Sequence, residues 1–422
     1  MAAGILFGVL FLLLFVGVPI AICLGIAAAV TMVATGNIQY LAAVPTRMFT
    51  QVDNSTLMAV PFFILAGNIM AEGGISDRLI GFFELLLKRL PGRLACISVV
   101  ASGFFGAISG SNPATVAAIG GICAPRMIQK GYPPAKAAAI AASAGTLGVV
   151  IPPSIPMVTY AVTANESIID MFEAGWVPGI MLIVGLCVAN VIMCRKYDSV
   201  DNTAYPAREY LIRFKDAFLA LLMPIIILGG IYSGMFTPTE SAAVACVYAL
   251  VVSCLVFREL PLKKLYKVFI DSCVSSAVVL FVVSMSAPFA WFMTSENIPA
   301  MISTAVMNAF SNKFLILLVM NLLLLFLGCF LETQSIILLV TPILLPMATA
   351  IGVSPIALGL IIIVNTSIGM ITPPMAVNLF VASGICKTSI GAVSKKIIPY
   401  LLLEFGILLL YTYIPIIFGI TI

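Results

Sequence analysis

Residues 103–120 read GFFGAISGSNPATVAAIG and lie in a chain that is otherwise mostly apolar. The centre of this stretch, SGSNP at 109–113, consists of small or polar residues that interrupt an apolar helix. In the hydrocarbon of a bilayer every backbone N–H and C=O group needs a partner, so such a break persists only where protein or a wet cavity surrounds it. The stretch is therefore a candidate binding site.

The composition around this stretch is that of a membrane protein. Of the 422 residues, 62% are hydrophobic and 9% are charged, whereas a soluble domain carries about 25% charged residues. We therefore expect an all-α integral membrane protein in a lipid bilayer. The net charge of +4 comes from basic residues in short loops, which follows membrane topology and indicates no nucleic-acid partner.

The N-terminal segment is expected to be a retained membrane helix. Residues 2–46 carry no charge, whereas a cleaved signal peptide begins with a basic region. Gly17-Val18-Pro19 divides the apolar residues 3–34. Whether these residues form one span or two stays open.

Cysteine and histidine usage argues against an enzyme. The ten cysteines lie singly in apolar runs without a C-x-x-C pair, and the chain has no histidine. Isolated cysteines in such runs pack as small hydrophobes, and the absence of histidine removes the commonest metal ligand and general base. The chain also lacks the G-x-x-x-x-G-K-[ST] motif of nucleotide-driven pumps.

Two short apolar segments, residues 95–108 and 114–129, flank the polar centre. At 1.5 Å per residue, each falls short of a hydrocarbon core of about 30 Å. Basic residues stand at both outer ends, Arg93 before the first segment and Lys130 after the second, and such residues mark the cytoplasmic side. These features predict a re-entrant helical hairpin over about 95–129 that enters and leaves from the cytoplasm.

A discontinuous helix is predicted over about 135–164. Pro152 and Pro153 lie within this apolar run, and paired prolines remove two N–H donors and force the preceding residue out of the α region. Together with Gly145-Thr146-Leu147-Gly148 they predict an unwound segment from Gly145 to Ser154, near the middle of the membrane.

The second half of the chain repeats the first. A constant offset of 221 residues relates matching positions of the two halves, and this register holds without a gap over about fifty residues, which predicts an internal repeat. The matched pairs include most of the helix-breaking positions: Pro125 and Pro346, Gly131 and Gly352, Pro134 and Pro355, Gly148 and Gly369, Pro152 and Pro373, Pro153 and Pro374, and Pro178 and Pro399.

The repeat predicts a second hairpin at about 315–350, with the polar tip ETQS at 332–335, and a second discontinuous helix at about 355–386, unwound from Asn365 to Pro374. Basic residues are scarce at the outer ends of the second hairpin, so we expect it to enter from the opposite face. This makes the halves inverted and puts both termini outside. The predicted domains are a first inverted repeat at 1–196, a cytoplasmic linker at 197–216 and a second inverted repeat at 217–422.

Inverted repeats with broken helices are the architecture of secondary transporters, and their four interruptions should meet at one site. Free carbonyls and hydroxyls at helix breaks suit a hard cation such as Na⁺, whereas free N–H groups at helix N-termini suit a carboxylate. The alternative for any single hydroxyl is capping its own helix, and Glu332 is also open to roles as a proton sensor or hairpin cap. The candidate Na⁺ ligands are Ser109, Gly110, Ser111, Asn112, Gly145, Thr146, Glu332, Thr333, Gln334, Thr366, Ser367, Gly369 and Thr372, and the candidate substrate-binding residues are Asn112, Pro153, Ser154, Asn365, Pro374 and Asn378.

Four separated motifs, in the same order, resemble the large membrane subunit of tripartite ATP-independent periplasmic (TRAP) transporters. They are GFFGAISGSNPATVAAIG at 103–120, IPPSIPMVTYA at 151–161, SGMFTPTESAAVA at 233–245 and SIGMITPPMAVNLFVASG at 367–384, with VPFFILAGNIM at 60–70 upstream. The resemblance implies an elevator-type transporter of the ion-transporter superfamily, in which the hairpins and broken helices move against a scaffold. It also implies one Na⁺ site at 109–113 with the break after Gly145, and another at the second tip with 365–374.

The same resemblance implies Na⁺-coupled uptake of an organic acid, such as sialic acid, a C4-dicarboxylate or a related sugar acid, across the bacterial inner membrane. The implied partners are a small membrane subunit and a soluble periplasmic binding protein. A binding-protein-independent carboxylate transporter or a channel of the same superfamily is the alternative.

Overall fold

Apolar composition and the need to pair every backbone polar group internally favour α-helices throughout. The computed structural model of the protein describes residues 2–198, 206–310, 312–373 and 376–418, and all regular elements in these residues are helical. The first half comprises α1 (Ala2–Phe15), α2 (Ile20–Ala34), α3 (Val44–Val52), α4 (Ala59–Glu72), α5 (Ile75–Leu86), α6 (Arg93–Ser109), α7 (Asn112–Thr115), α8 (Gly121–Gln129), α9 (Pro134–Gly145), α10 (Leu147–Val150), α11 (Ile155–Ala164) and α12 (Ile168–Cys194).

The second half begins after the central connection. It comprises α13 (Ala207–Tyr232), α14 (Pro238–Leu250), α15 (Leu262–Ser295), α16 (Ile298–Ala309), α17 (Lys313–Gly328), α18 (Thr333–Ala350), α19 (Pro355–Gly369), α20 (Val377–Ile385) and α21 (Ile390–Phe418). A π-helical turn, Val116–Gly120, joins α7 to α8, and another, Val251–Val256, extends α14.

Several of these helices are suited to cross a bilayer. In the described residues six are long and apolar enough, and α9–α10 with α11, bent by 42°, would form a seventh span. The six are Ser55–Glu72, Ile168–Cys194, Pro238–Val256, Leu262–Ser295, Thr333–Ala350 and Ile390–Ile414. The prediction of an all-helical, multi-pass membrane protein is confirmed.

Residues 3–34 form two helices. α1 ends at Phe15, Gly17 adopts a φ of +85°, and α2 begins at Ile20. Glycine tolerates this left-handed conformation, which other residues rarely adopt. The turn allows α1 and α2 to pack against each other.

The predicted linker at 197–216 is helical over its second part. Residues 199–205 lie outside the described residues, and α13 already begins at Ala207. A guanidinium nitrogen of Arg213 lies 3.8 Å from a carboxylate oxygen of Glu209 one turn earlier, a spacing that supports a helix.

Each interruption that the sequence singles out contains a gap between helices, but both predicted unwound segments are too long, because Leu147–Val150 and Asn365–Gly369 are helical. The gaps lie at 110–111 between α6 and α7, at 151–154 between α10 and α11, at 329–332 between α17 and α18, and from Met370 onwards after α19. α18 packs against α11, α15 and α19, and α9 packs against α6, α20 and α21. The interrupted helices are thereby gathered into one packed group, whereas their inverted symmetry and membrane orientation stay predictions.

Candidate functional site

The first interruption is a two-residue loop held by its own hydroxyl groups. α6 ends at Ser109 because Gly110 adopts a left-handed conformation with φ of 57°, which favours glycine. Ser111 is extended, and α7 begins at Asn112. The hydroxyl oxygen of Ser109 lies 3.0 Å from that of Thr115, which donates a 2.8 Å hydrogen bond to the carbonyl oxygen of Ser111. We call residues 109–113 the first tip.

Glycines let the first tip lie directly against the broken helix. A Cβ atom at Gly148 would stand 2.5 Å from the carbonyl oxygen of Ser111, and one at Gly145 would clash with the side chain of Val116. Gly106 on α6 is equally close, since its Cβ would lie 2.9 Å from the Cα of Gly148. A larger side chain at Gly106 or Gly148 would therefore require the backbone to shift.

We call residues 145–154 the first break, and two hydroxyl groups in it bond within their own segment. Thr146 donates a 2.7 Å hydrogen bond to the carbonyl oxygen of Ser143, and Ser154 donates a 2.6 Å bond to that of Val149. Both follow the capping alternative named above. Pro153 lies beside Ser154 in the unwound segment, and the carbonyl oxygen of Thr146 accepts a hydrogen bond from Ser367 of the second half.

The second tip, residues 329–332, holds one of the four polar residues expected there. Glu332 ends the loop and is exposed, whereas Thr333 and Gln334 lie in the first turn of α18. The side chain of Gln334 is buried, and its Oε1 has no hydrogen-bond partner. An unpaired buried oxygen is costly, so this atom is a candidate ligand for a bound cation.

Ser367 and Met370 connect the interruptions. The Nδ2 of Asn112 donates a 2.8 Å hydrogen bond to the hydroxyl of Ser367, which donates a 2.7 Å bond to the carbonyl oxygen of Thr146. The sulfur of Met370 lies 3.5 Å from the Nδ2 of Asn112 and 3.7 Å from the hydroxyl oxygen of Thr333. The first tip, the first break, the second break and the start of α18 are therefore in contact.

The second break was expected at residues 365–374. Most of the side chains predicted to act there bond to other parts of the structure. α19 stays helical to Gly369, so the chain unwinds at Met370 and not at Asn365. Pro374 lies outside the described residues. The remaining side chains bond to nearby groups: Asn365 to the backbone and side-chain oxygens of Asn321, Thr366 to the carbonyl of Ile362, Thr372 to that of Ile368 and Asn378 to that of Ala142.

A cavity of about 360 Å³, which we call the tip cavity, lies between the two tips. α4 contributes Asn68 to its wall, and α15 contributes residues from Val274 to Val279. The predicted site residues that line it are Ser109, Gly110, Ser111, Asn112, Glu332, Thr333 and Gln334.

The tip cavity combines free N–H groups with free oxygens. α7, α11 and α18 begin at its wall, and the first N–H groups of a helix have no intrahelical partner and carry a positive partial charge. Asn112 Oδ1 and Gln334 Oε1 are buried without a hydrogen-bond partner. Glu332 is the only charged side chain among the described residues of the wall. The cavity can thus hold an anion beside a cation, without a lysine or arginine.

Comparison with known proteins identifies the family. A family profile described as "Tripartite ATP-independent periplasmic transporter, DctM component" matches residues 7–417. The chain belongs to this family. The C4-dicarboxylate TRAP transporter large permease protein DctM of Rhodobacter capsulatus is 36% identical, with 98% of this chain and 97% of that protein covered.

Two further relatives of this TRAP permease differ in their named substrates. The isethionate TRAP transporter permease protein DctMQ of Oleidesulfovibrio alaskensis is 42% identical over 97% of this chain, which spans 65% of that protein. The sialic acid TRAP transporter large permease protein SiaM of Vibrio cholerae is 35% identical over 96% of this chain and 94% of its own length. Membership of the family makes the chain a transporter subunit and not an enzyme.

Solved structures of distant transporters share the fold of the TRAP permease. The YdaH transporter of Alcanivorax borkumensis superposes with a TM-score of 0.61 at 15% identity, covering 91% of this chain and 90% of that one. MtrF of Neisseria gonorrhoeae gives a TM-score of 0.59 at 13% identity, covering 90% and 84%. At these identities the likeness concerns the fold alone.

Three parts of the site were missed from the sequence of this TRAP permease. Met370 contacts both Asn112 and Thr333, but an apolar residue in an apolar run gives no signal. The residues of α15 in the cavity wall belong to an unbroken helix, so nothing in the sequence marks them as part of the site either. Asn68 could have been found, because it is an amide within the apolar stretch VPFFILAGNIM and its Nδ2 donates to Ser272 on α15.

Proposed function

We propose that this TRAP permease takes up an organic acid together with Na⁺. The observation that carries the proposal is the charge of the tip cavity, whose described wall contains Glu332 and no basic side chain. An organic anion placed there gains only the partial charges of three helix N-termini, and Glu332 opposes it. A co-bound Na⁺ supplies the missing counter-charge, and Asn112 Oδ1 and Gln334 Oε1 are free to bind it.

The substrate class follows from chemistry that the named substrates of relatives share. C4-dicarboxylates, sialic acid and isethionate all carry a carboxylate or sulfonate group, which free N–H groups at helix N-termini bind well. A cavity of about 360 Å³ is within the range for small-molecule sites. We therefore propose a small organic acid as substrate, with Na⁺ as co-substrate.

Transport is proposed to follow an elevator mechanism. The hydrogen bond from Ser367 to Thr146, and another from the hydroxyl of Tyr160 on α11 to the carbonyl oxygen of Pro355 on α19, tie the broken helices together. Elements joined in this way are suited to move as one body against the remaining helices.

The partners and membrane are those of a TRAP system. A small membrane subunit and a soluble periplasmic binding protein complete the transporter, in the bacterial inner membrane with both termini on the periplasmic side. The word "large" in the relatives' names, and the part of the DctMQ relative that this chain does not span, support a small partner subunit.

Reconstituted uptake tests the proposal. Proteoliposomes would contain this permease and its small subunit, with the binding protein outside and succinate, sialic acid or isethionate as labelled substrates. We expect accumulation of one acid that requires an inward Na⁺ gradient and the binding protein. Saturable uptake without the binding protein would favour the carboxylate-transporter alternative, and non-saturable downhill flux would favour a channel. Either result would contradict the proposal.

A further inference from the structure

A second cavity, of about 290 Å³, lies where α9 and α21 begin and α12 ends. We call it the lysine pocket. Its described wall contains four lysines and no acidic side chain: Pro133, Lys136, Met193, Lys196, Tyr197, Lys395, Lys396 and Pro399.

Lys136 places a positive charge in the wall without a negative partner. The residue is 9% exposed. Its ammonium nitrogen lies 3.8 Å from the sulfur of Met193 and 4.5 Å from the centre of the Tyr400 ring. None of the described carboxylates forms a salt bridge with it. A buried ammonium group is costly unless an anion or strong acceptor accompanies it, so this position favours an anionic ligand.

The amines of the other three lysines add to the positive electrostatic potential of the pocket. Lys395 and Lys396 follow each other near the start of α21, and Lys196 comes just after α12, with its amine 4.8 Å from the Tyr197 ring centre. The acidic residue closest along the chain, Asp198, accepts a 3.0 Å hydrogen bond from the N–H of Leu94 on α6. The same carboxylate oxygen lies 3.9 Å from the Nε of Arg93, so its charge is already paired and the lysines keep their combined positive charge.

We propose that the lysine pocket binds the phosphate group of an anionic phospholipid. Phosphate oxygens pair with several ammonium groups at once, and basic pockets between membrane helices bind such headgroups. The source is indicated by the face of α21 that carries Lys395. Ile398 and Leu402 lie three and seven residues further along that face and are 52% and 63% exposed, so an acyl chain can continue from the pocket along the helix.

Thermal unfolding of the purified full-length permease in detergent tests this proposal. Phosphatidylglycerol should raise the midpoint by about 2 to 4 °C, and phosphatidylcholine should not. The variant K136Q/K395Q/K396Q should lose the difference between the two lipids. The matched control, K130Q/K263Q/K267Q, removes the same charge from exposed lysines outside the pocket and should keep it.

Two outcomes would overturn the proposal. In one, phosphatidylglycerol stabilises the pocket variant and the control variant equally. In the other, inorganic phosphate gives the lysine-dependent shift and phosphatidylglycerol gives none, which would assign the pocket to a soluble anion. If the triple variant does not fold, K395Q/K396Q against K263Q/K267Q makes the same comparison with exposed residues only.

Discussion

Ser367 donates a 2.7 Å hydrogen bond to the carbonyl oxygen of Thr146, and the two residues stand 221 positions apart. The same interval relates the matched residues of the two halves, such as Gly148 and Gly369. Two copies of an element related by a two-fold axis touch at equivalent residues only beside that axis. The predicted inverted repeat allows a contact of this kind, and the hydrogen bond joins α19 to the residue between α9 and α10.

Replacing Ser367 with alanine should weaken both the fold and cation binding. The change removes the hydrogen bonds to Thr146 and Asn112, so we expect a loss of about 1–2 kcal/mol in unfolding free energy. The loosened first tip should lower the apparent affinity for Na⁺ about tenfold in uptake assays, equivalent to about 1.4 kcal/mol.

The matched control for Ser367→Ala is Ser286→Ala. Ser286 is also buried, but it bonds to the carbonyl of Val283 on its own helix. Its Na⁺ dependence should match the unmodified protein. Equal Na⁺ affinities in all three proteins would show that the Ser367 contact has no part in cation binding.

Alanine at Gly148 or Gly369 should destabilise the protein and abolish uptake. A Cβ would stand 2.5 Å from the carbonyl oxygen of Ser111 in the first case and 2.5 Å from the Cα of Gly328 in the second. Overpacking of this kind costs about 1–3 kcal/mol. Gly384→Ala on α20 is the control, because a Cβ there has no neighbour within 4 Å. Thermal midpoints that are the same for all three variants would refute the backbone contact.

Glu332→Gln should change the apparent affinities of the tip cavity for the organic acid and for Na⁺. The carboxylate repels an organic anion and attracts a cation, so its removal should lower the KM for the acid at saturating Na⁺ and raise the Na⁺ concentration needed for half-maximal uptake. Initial rates measured against both solutes report the two constants. Glu173→Gln, an exposed change on α12, should leave both unchanged, and the same null result for Glu332 would place its side chain outside the transport path.

Glu404→Gln should maintain or raise thermal stability. The side chain is 0% exposed, and neither carboxylate oxygen has a hydrogen-bond partner. Replacing an unpaired buried acid with a neutral group of similar volume removes a desolvation cost. Thermal unfolding midpoints of Glu404→Gln and of a second variant, Glu404→Leu, check this prediction. If both midpoints fall, the carboxyl group makes a stabilising contact in the assembled protein.

The sequence predicts the interruptions well because proline and glycine act locally. The chain unwinds at Pro152 and Pro153, although the helix continues to Val150 and not only to Gly145 as predicted, and Gly110 permits the left-handed turn of the first tip. The end of α19 was predicted too early, at Asn365, because Asn, Thr and Ser favour breaks by propensity. Here their side chains bond within the packed interior, and the helix continues to Gly369.

The directions in which the side chains point could not be predicted from the sequence. Thr366 and Thr372 bond to their own helix, whereas Asn112 reaches across to Ser367, and no local rule separates these outcomes. The contribution of α15 to the cavity depends on packing between distant elements. A periodic apolar helix carries the same pattern whether its neighbour is lipid or substrate.

α15 passes the tip cavity near the middle of its 34 residues, at Val274 to Val279. At 1.5 Å per residue, about 20 Å of helix lies on either side of the cavity. Rotamer changes move side-chain atoms over a much shorter path, so they cannot alone carry a solute to both ends of α15. Under the proposed elevator mechanism the two tips would move along α15, and distances measured between spin labels on α15 and α18 would record that movement.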